Sequence, residues 1–99
     1  MSELETLLLI EDDHTVRYSL RKTLEEEFII LEASTCKRSL SILEQYRFCL
    51  ILMDLNLPDG CGFELLENIR KKTSAPVIIL SGEKNDNKKL KTFELGADD

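Results

Sequence analysis

The chain lacks any apolar stretch that approaches the length of a bilayer span, which excludes a transmembrane helix. Its start, Met1-Ser2-Glu3-Leu4-Glu5, lacks the basic residues that open a signal peptide, so a cytoplasmic protein is expected. Cysteine is scarce. Cys36, Cys49 and Cys61 are an odd three without metal-ligand spacing, which argues against a disulfide framework. Positive charge is in deficit as well. The net charge of −6 would be repelled by nucleic-acid phosphates, so direct DNA contact by this chain is not expected. Repeats, linkers and low-complexity stretches are also missing. What remains is 99 residues, enough for one domain (1–99) and not two, with the 42% apolar and 32% charged content of a soluble globular fold.

Within that domain, strand and helix patterns alternate. Residues 7–11 form an apolar run of strand length, and Asp13 stands where an N-cap would open a helix over 14–27, with Val16, Leu20, Thr23 and Leu24 on one face. An Ile-rich strand follows at 28–33, then a helix at 36–46 with Leu40, Leu43 and Tyr46 at helical spacing. The run 49–54 is apolar without alternation, as in a strand covered on both faces. Pro58, Gly60 and Gly62 mark 56–62 as a loop. A helix over 63–72 buries Leu66 and Ile69 and ends in Arg70-Lys71-Lys72, which suits its C-terminal dipole end. A strand at 76–80 and a helix at 86–95 capped by Gly96 complete the pattern.

The order βαβαβαβα predicts a doubly wound parallel sheet with helices on both faces. If the order is flavodoxin-like, 2-1-3-4, the switch point lies between the first and third strands. There the acids collect. Leu7-Leu8-Leu9-Ile10 ends in Glu11-Asp12-Asp13, Leu50-Ile51-Leu52-Met53 ends in Asp54, and Val77-Ile78-Ile79-Leu80 ends in Ser81. In an open parallel sheet such ends share one edge, where ligands bind.

Three carboxylates within about 5 Å repel by roughly 3 kcal/mol per pair at an effective dielectric near 20, so the cluster either raises a pKa or recruits a cation. Oxygen ligands beside an anionic substrate favour Mg²⁺. With the metal in place, a carboxylate can attack phosphorus that would otherwise repel it. Asp54, ending a central strand, is the expected nucleophile, and Ser81 can donate to a phosphoryl oxygen. A plainer alternative stays open for each residue alone. Acids after a strand cap the next helix and favour its dipole, which suffices for Asp13, while Ser81-Gly82 is ordinary turn chemistry and His14 an exposed first-turn residue. For Glu11, Asp12 and Asp54 the capping account weakens because acids recur at both strands flanking the switch point.

Four segments, taken in order, resemble the receiver domain of bacterial two-component response regulators: Leu8-Leu9-Ile10-Glu11-Asp12-Asp13, the stretch Leu52-Met53-Asp54-Leu55-Asn56-Leu57-Pro58-Asp59-Gly60-Cys61-Gly62, Pro76-Val77-Ile78-Ile79-Leu80-Ser81-Gly82, and Gly96-Ala97-Asp98-Asp99. The resemblance spans essentially the whole chain. It implies that Asp54 is the phosphoacceptor, loaded by a sensor histidine kinase or phosphotransfer protein. It implies that Asp12 ligates Mg²⁺ directly, Glu11 mostly through water, and Asn56 through its backbone carbonyl. Ser81 then matches the hydroxyl that senses the phosphoryl group, and Pro58 and Gly62 the turn shaping the active-site loop. Such a switch, in transcription regulation, is not a turnover enzyme, though it can promote its own dephosphorylation.

The resemblance also implies a fifth strand bearing a lysine and an aromatic switch residue, then a fifth helix. The sequence stops before this βα unit, and Lys84, Lys88 and Lys89 do not match that lysine. A C-terminally truncated receiver is therefore expected, marginal in stability or completing its sheet by self-association or strand exchange at the fourth-strand edge. Its phosphorylation should be slow or absent. The main alternative is a receiver-like interaction module that works without phosphorylation. A Mg²⁺-dependent phosphatase of the haloacid dehalogenase type wants an acid two residues beyond its nucleophile, where this chain has Asn56. A flavodoxin-like cofactor carrier would offer its phosphate hydroxyls and amides in the first loop, not Glu11-Asp12-Asp13.

Overall fold

The computed structural model describes residues 4–80, apart from the side chain of Cys61. In chain order its elements are β1 (Glu5–Ile10), α1 (His14–Leu24), β2 (Phe28–Ala33), α2 (Cys36–Gln45), β3 (Leu50–Met53), β4 (Asn56–Leu57), β5 (Gly60–Cys61), α3 (Gly62–Lys72) and β6 (Val77–Ile79). Four strands form one parallel sheet in the order β2-β1-β3-β6. This is the expected 2-1-3-4 arrangement, with β6 as its fourth strand. The helix expected over 86–95, its Gly96 cap, Ser81 and the lysines after it lie outside the described residues.

Why β1 and β3 read as unbroken apolar runs is visible in the packing. Leu8, Ile10, Ile51 and Met53 point to one face, where Ile42 and Leu43 of α2 and Leu65, Leu66 and Ile69 of α3 cover them. Leu7, Leu9 and Leu52 point to the other, against Leu20 and Leu24 of α1. A strand buried on both faces has no position left for polar alternation. No helix among the described residues is long and apolar enough to cross a membrane.

Three local expectations are corrected. Helix α1 ends at Leu24, not residue 27, and Glu25 caps it through its amide on the Arg21 carbonyl. Glu25, Glu26 and Glu27 would crowd negative charge at the negative end of the dipole, so the chain turns there. Val16 and Thr23 do not join the apolar face: Val16 is exposed, and Thr23 is exposed with its hydroxyl donating to the Ser19 carbonyl at 3.0 Å. Tyr46 is exposed too, because the chain is already extended there as the C-cap of α2, and Ile42 fills the core instead.

The 56–62 loop has internal structure. Asn56 and Leu57 pair antiparallel with Cys61 and Gly60, making a small hairpin turned at Pro58-Asp59. Gly62 opens α3 at a place where a Cβ would stand 2.5 Å from the Leu55 carbonyl oxygen, so only glycine admits this backbone approach.

Candidate metal centre

Register places the acids. Ile10 is aligned with Met53 and with Ala33, so Glu11 and Asp54 each come one residue past an aligned pair. The ladder runs one rung further on both sides: the Glu11 amide donates to the Ala33 carbonyl at 3.0 Å, and the Asp54 amide to the Ile10 carbonyl at 2.9 Å. The Leu80 amide likewise donates to the Met53 carbonyl at 2.8 Å, which brings the end of β6 to the same edge. Backbone hydrogen bonds therefore hold the main chain of Glu11 and Asp54, and the side chains inherit that order.

Glu11, Asp12 and Asp54 each offer one carboxylate oxygen, and these three atoms lie within 4.8 Å of one another. Glu11 is buried at 5% exposure, Asp54 is half-buried and Asp12 is exposed. Among the described residues, none of the three has an ion-pair partner. Burial, then a hydrogen bond and repulsion from Asp54, lifts the Glu11 carboxyl to about 7. The Asp13 amide, 3.4 Å from Glu11 Oε2, opposes that shift. Asp13 otherwise serves α1, accepting from the amides of Thr15 and Val16 at 2.8 and 3.1 Å.

The remaining candidates surround this group. The Asn56 amide donates to Asp54 Oδ1 at 3.0 Å, fixing that carboxylate over the start of the hairpin. A cavity of about 480 Å³ beside the acids is lined by Asp12, Asn56, Pro58 and Gly62, among others. Ser81 lies outside the described residues. A larger cavity of about 780 Å³ opens between Tyr46–Cys49 and Thr73–Pro76, at the start of β3, whereas Asp54 follows the end of that strand.

Two residues near the site have roles that sequence reasoning missed. Arg17 of α1 donates to the carbonyls of Glu11 and Asp12. Asp59, in the hairpin turn, accepts from the amides of Cys36 and Lys37 at 2.7 and 3.0 Å and so helps Thr35 cap α2. Arg17 falls one turn after Asp13, a weak local hint, whereas nothing local ties Asp59 to a helix start 23 residues away.

A parallel sheet with helices on both faces and three acids gathered at its switch point is the layout of a receiver-like domain. The response regulator receiver domain model matches residues 7–99, and the chain belongs to that family. It is 36% identical over 94 residues to the KDP operon transcriptional regulatory protein KdpE of Escherichia coli (strain K12), covering 94% of this chain and 42% of that protein. It is 38% identical over 95 residues to the cell cycle transcriptional regulator CtrA of Caulobacter vibrioides (strain NA1000 / CB15N), covering 94% of this chain and 41% of that one. The chain thus spans about two-fifths of the length of these relatives. Among solved structures, a CheY-like receiver domain protein from Methanospirillum hungatei JF-1 superposes with a TM-score of 0.91 at 31% identity, over 97% of this chain and 78% of that one.

Proposed function

We propose that this chain is a phosphoacceptor switch of a two-component relay, loaded at Asp54 by a sensor histidine kinase or phosphotransfer protein. The observation that carries the reading is the meeting of Glu11, Asp12 and Asp54 within 4.8 Å in a chain of the receiver family. The donor set suits Mg²⁺: hard oxygen ligands, few in number, with room for water and a substrate oxygen in the adjoining cavity. Glu11, Asp12, Asp54 and the backbone carbonyl of Asn56 would hold the ion. When bound, it neutralises the acids and the incoming phosphoryl oxygens.

The chain's own residues supply positioning. The Asn56 amide holds Asp54 through Oδ1. Attack by the Asp54 carboxylate forms an O–P bond as the N–P bond of the donor phosphohistidine breaks, so the phosphoryl group passes intact and no turnover follows. Pro58 and Gly62 shape the loop beside Asp54, and Ser81 is assigned the phosphoryl-sensing hydrogen bond. The switch is read as cytoplasmic. Its readout in a longer regulator would be transcriptional, through a segment other than this acidic domain.

Two assays test this reading. Mg²⁺ should bind the chain and lose affinity in Asp12→Ala and Asp54→Asn. A small acyl phosphate should modify Asp54 alone. Mg²⁺ binding indifferent to both substitutions, or a phosphoryl group on another residue, overturns the proposal. Self-association or strand exchange at the fourth-strand edge belongs to the same reading, and sedimentation across a concentration series checks it.

A further inference from the structure

Glu11 and Asp12 are consecutive residues in an irregular segment, so the angle between their carboxylates depends on two peptide planes that no helix or strand fixes. One side chain reaches both planes. Nη1 of Arg17 donates to the Glu11 carbonyl at 2.8 Å and to the Asp12 carbonyl at 3.1 Å. Its Nε stands 3.3 Å from Glu32 Oε1 on β2, and the other oxygen of Glu32 accepts from Arg21 at 3.0 Å. The side chain of Arg17 is 19% exposed and that of Glu32 27%, so this is a partly buried chain of contacts and not a loose surface pair. The Arg17 backbone is fixed as well, its amide donating to the Asp13 carbonyl at 3.0 Å in the first turn of α1.

Arg17 takes carbonyl oxygens and leaves the carboxylates of Glu11 and Asp12 to a cation. Glu32 meanwhile balances its charge. A planar guanidinium can serve carbonyls on one side and a carboxylate on another, which a single ammonium cannot match. We propose that Arg17, anchored by Glu32, is a positioning residue that sets the Glu11 and Asp12 carboxylates for the divalent cation. This rests on the Mg²⁺ reading given above.

The sign of the effect separates positioning from mere charge. If Arg17 acted only as a nearby cation, its removal would tighten Mg²⁺ binding, because a repelling charge is gone. If it positions the loop, removal weakens binding, as losses among groups that orient metal ligands do by about 10-fold to 100-fold. The experiment is calorimetric Mg²⁺ titration of the 99-residue chain and its variants, well below their melting temperatures, with circular dichroism to confirm folding. Arg17→Met is expected to raise the Mg²⁺ Kd about 10-fold. Arg17→Lys should fall between parent and Arg17→Met, and Glu32→Gln should show a smaller loss in the same direction. A folded Arg17→Met that binds Mg²⁺ as tightly as the parent, or more tightly, overturns the assignment even if its melting temperature drops. If Arg17→Met does not fold, Glu32→Gln decides, and an unchanged Kd there overturns it. A parent chain that fails to bind Mg²⁺ sinks the metal reading itself, a result distinct from a binding parent with indifferent variants.

Discussion

The amide of Asp54 donates to the carbonyl of Ile10 at 2.9 Å, one rung beyond the last aligned pair of β1 and β3. That rung joins the ends of two strands some forty residues apart and brings their acids together. Two carboxylates about 5 Å apart repel by roughly 3 kcal/mol at an effective dielectric near 20, and solvent around the half-exposed Asp54 screens much of this. Asp54→Asn removes the charge and keeps an oxygen for the Asn56 amide. The metal-free variant is expected to gain about 1 kcal/mol in urea unfolding, while losing phosphorylation and weakening Mg²⁺ binding. A variant less stable than the parent without metal would show that the cluster is not held against repulsion.

Glu11 makes stability depend on pH. Its carboxyl is lifted from 4.5 to about 7, chiefly by burial and then by Asp54. Between those values the folded chain holds more protons than the unfolded one, so metal-free stability falls as pH rises from about 4.5 to about 7 and is level in this respect above. Under the proposed reading, Mg²⁺ competes with the same proton. Its affinity should weaken below about pH 7, at most by roughly tenfold per pH unit for one proton displaced. Urea midpoints at pH 5 and 8, with and without Mg²⁺, check both statements, and Glu11→Gln should flatten the metal-free trend.

The strands were legible because burial on both faces writes itself as an apolar run: the reading of 28–33 coincides with β2, and β1, β3 and β6 differ only at their ends. Asp13 announced α1 because a cap acts within three residues of itself. Glu11, Asp12 and Asp54 were legible as a group only once a strand order was assumed, since no local pattern says that β1 and β3 are neighbours. What escaped is what depends on distant partners. Tyr46 has the helical spacing of a core residue, yet α2 has ended before it. Arg17 and Asp59 act on backbone atoms, which carry no residue type for a sequence pattern to match.

Gly62 is held by geometry and not by flexibility. A Cβ there would sit 2.5 Å from the Leu55 carbonyl oxygen and 2.6 Å from the Leu55 Cα, both backbone atoms that cannot rotate away. Gly62→Ala must therefore push the start of α3 from the segment after Asp54. A loss of about 1–3 kcal/mol is expected, as for other forced overpacking. Amide chemical shifts of Leu55 and Asn56 should move as well. Parent-like stability and shifts would mean that the loop relaxes freely and Gly62 does not shape it.

Asp59 ties the hairpin beside the acid cluster to the start of α2. Its two oxygens accept from the Cys36 and Lys37 amides, while Thr35 accepts from Arg38, so three amides at that helix start have side-chain acceptors. The two backbone amides hold the Asp59 carboxyl below its ordinary range. A carboxylate with a depressed pKa stabilises the fold above its unfolded pKa, and the contribution disappears as pH falls through the folded value. Because Asp59 lies at the surface, the expected signature is local. Asp59→Ala should speed hydrogen exchange at Cys36 and Lys37 and remove part of the acid limb of the stability curve, with little change in the melting temperature near neutral pH. The hairpin should loosen with it, so the Asn56 amide, which carries the hydrogen bond to Asp54, should exchange faster too. Faster exchange at Cys36 and Lys37 with Asn56 unchanged would confine Asp59 to capping α2 and separate it from the acid cluster.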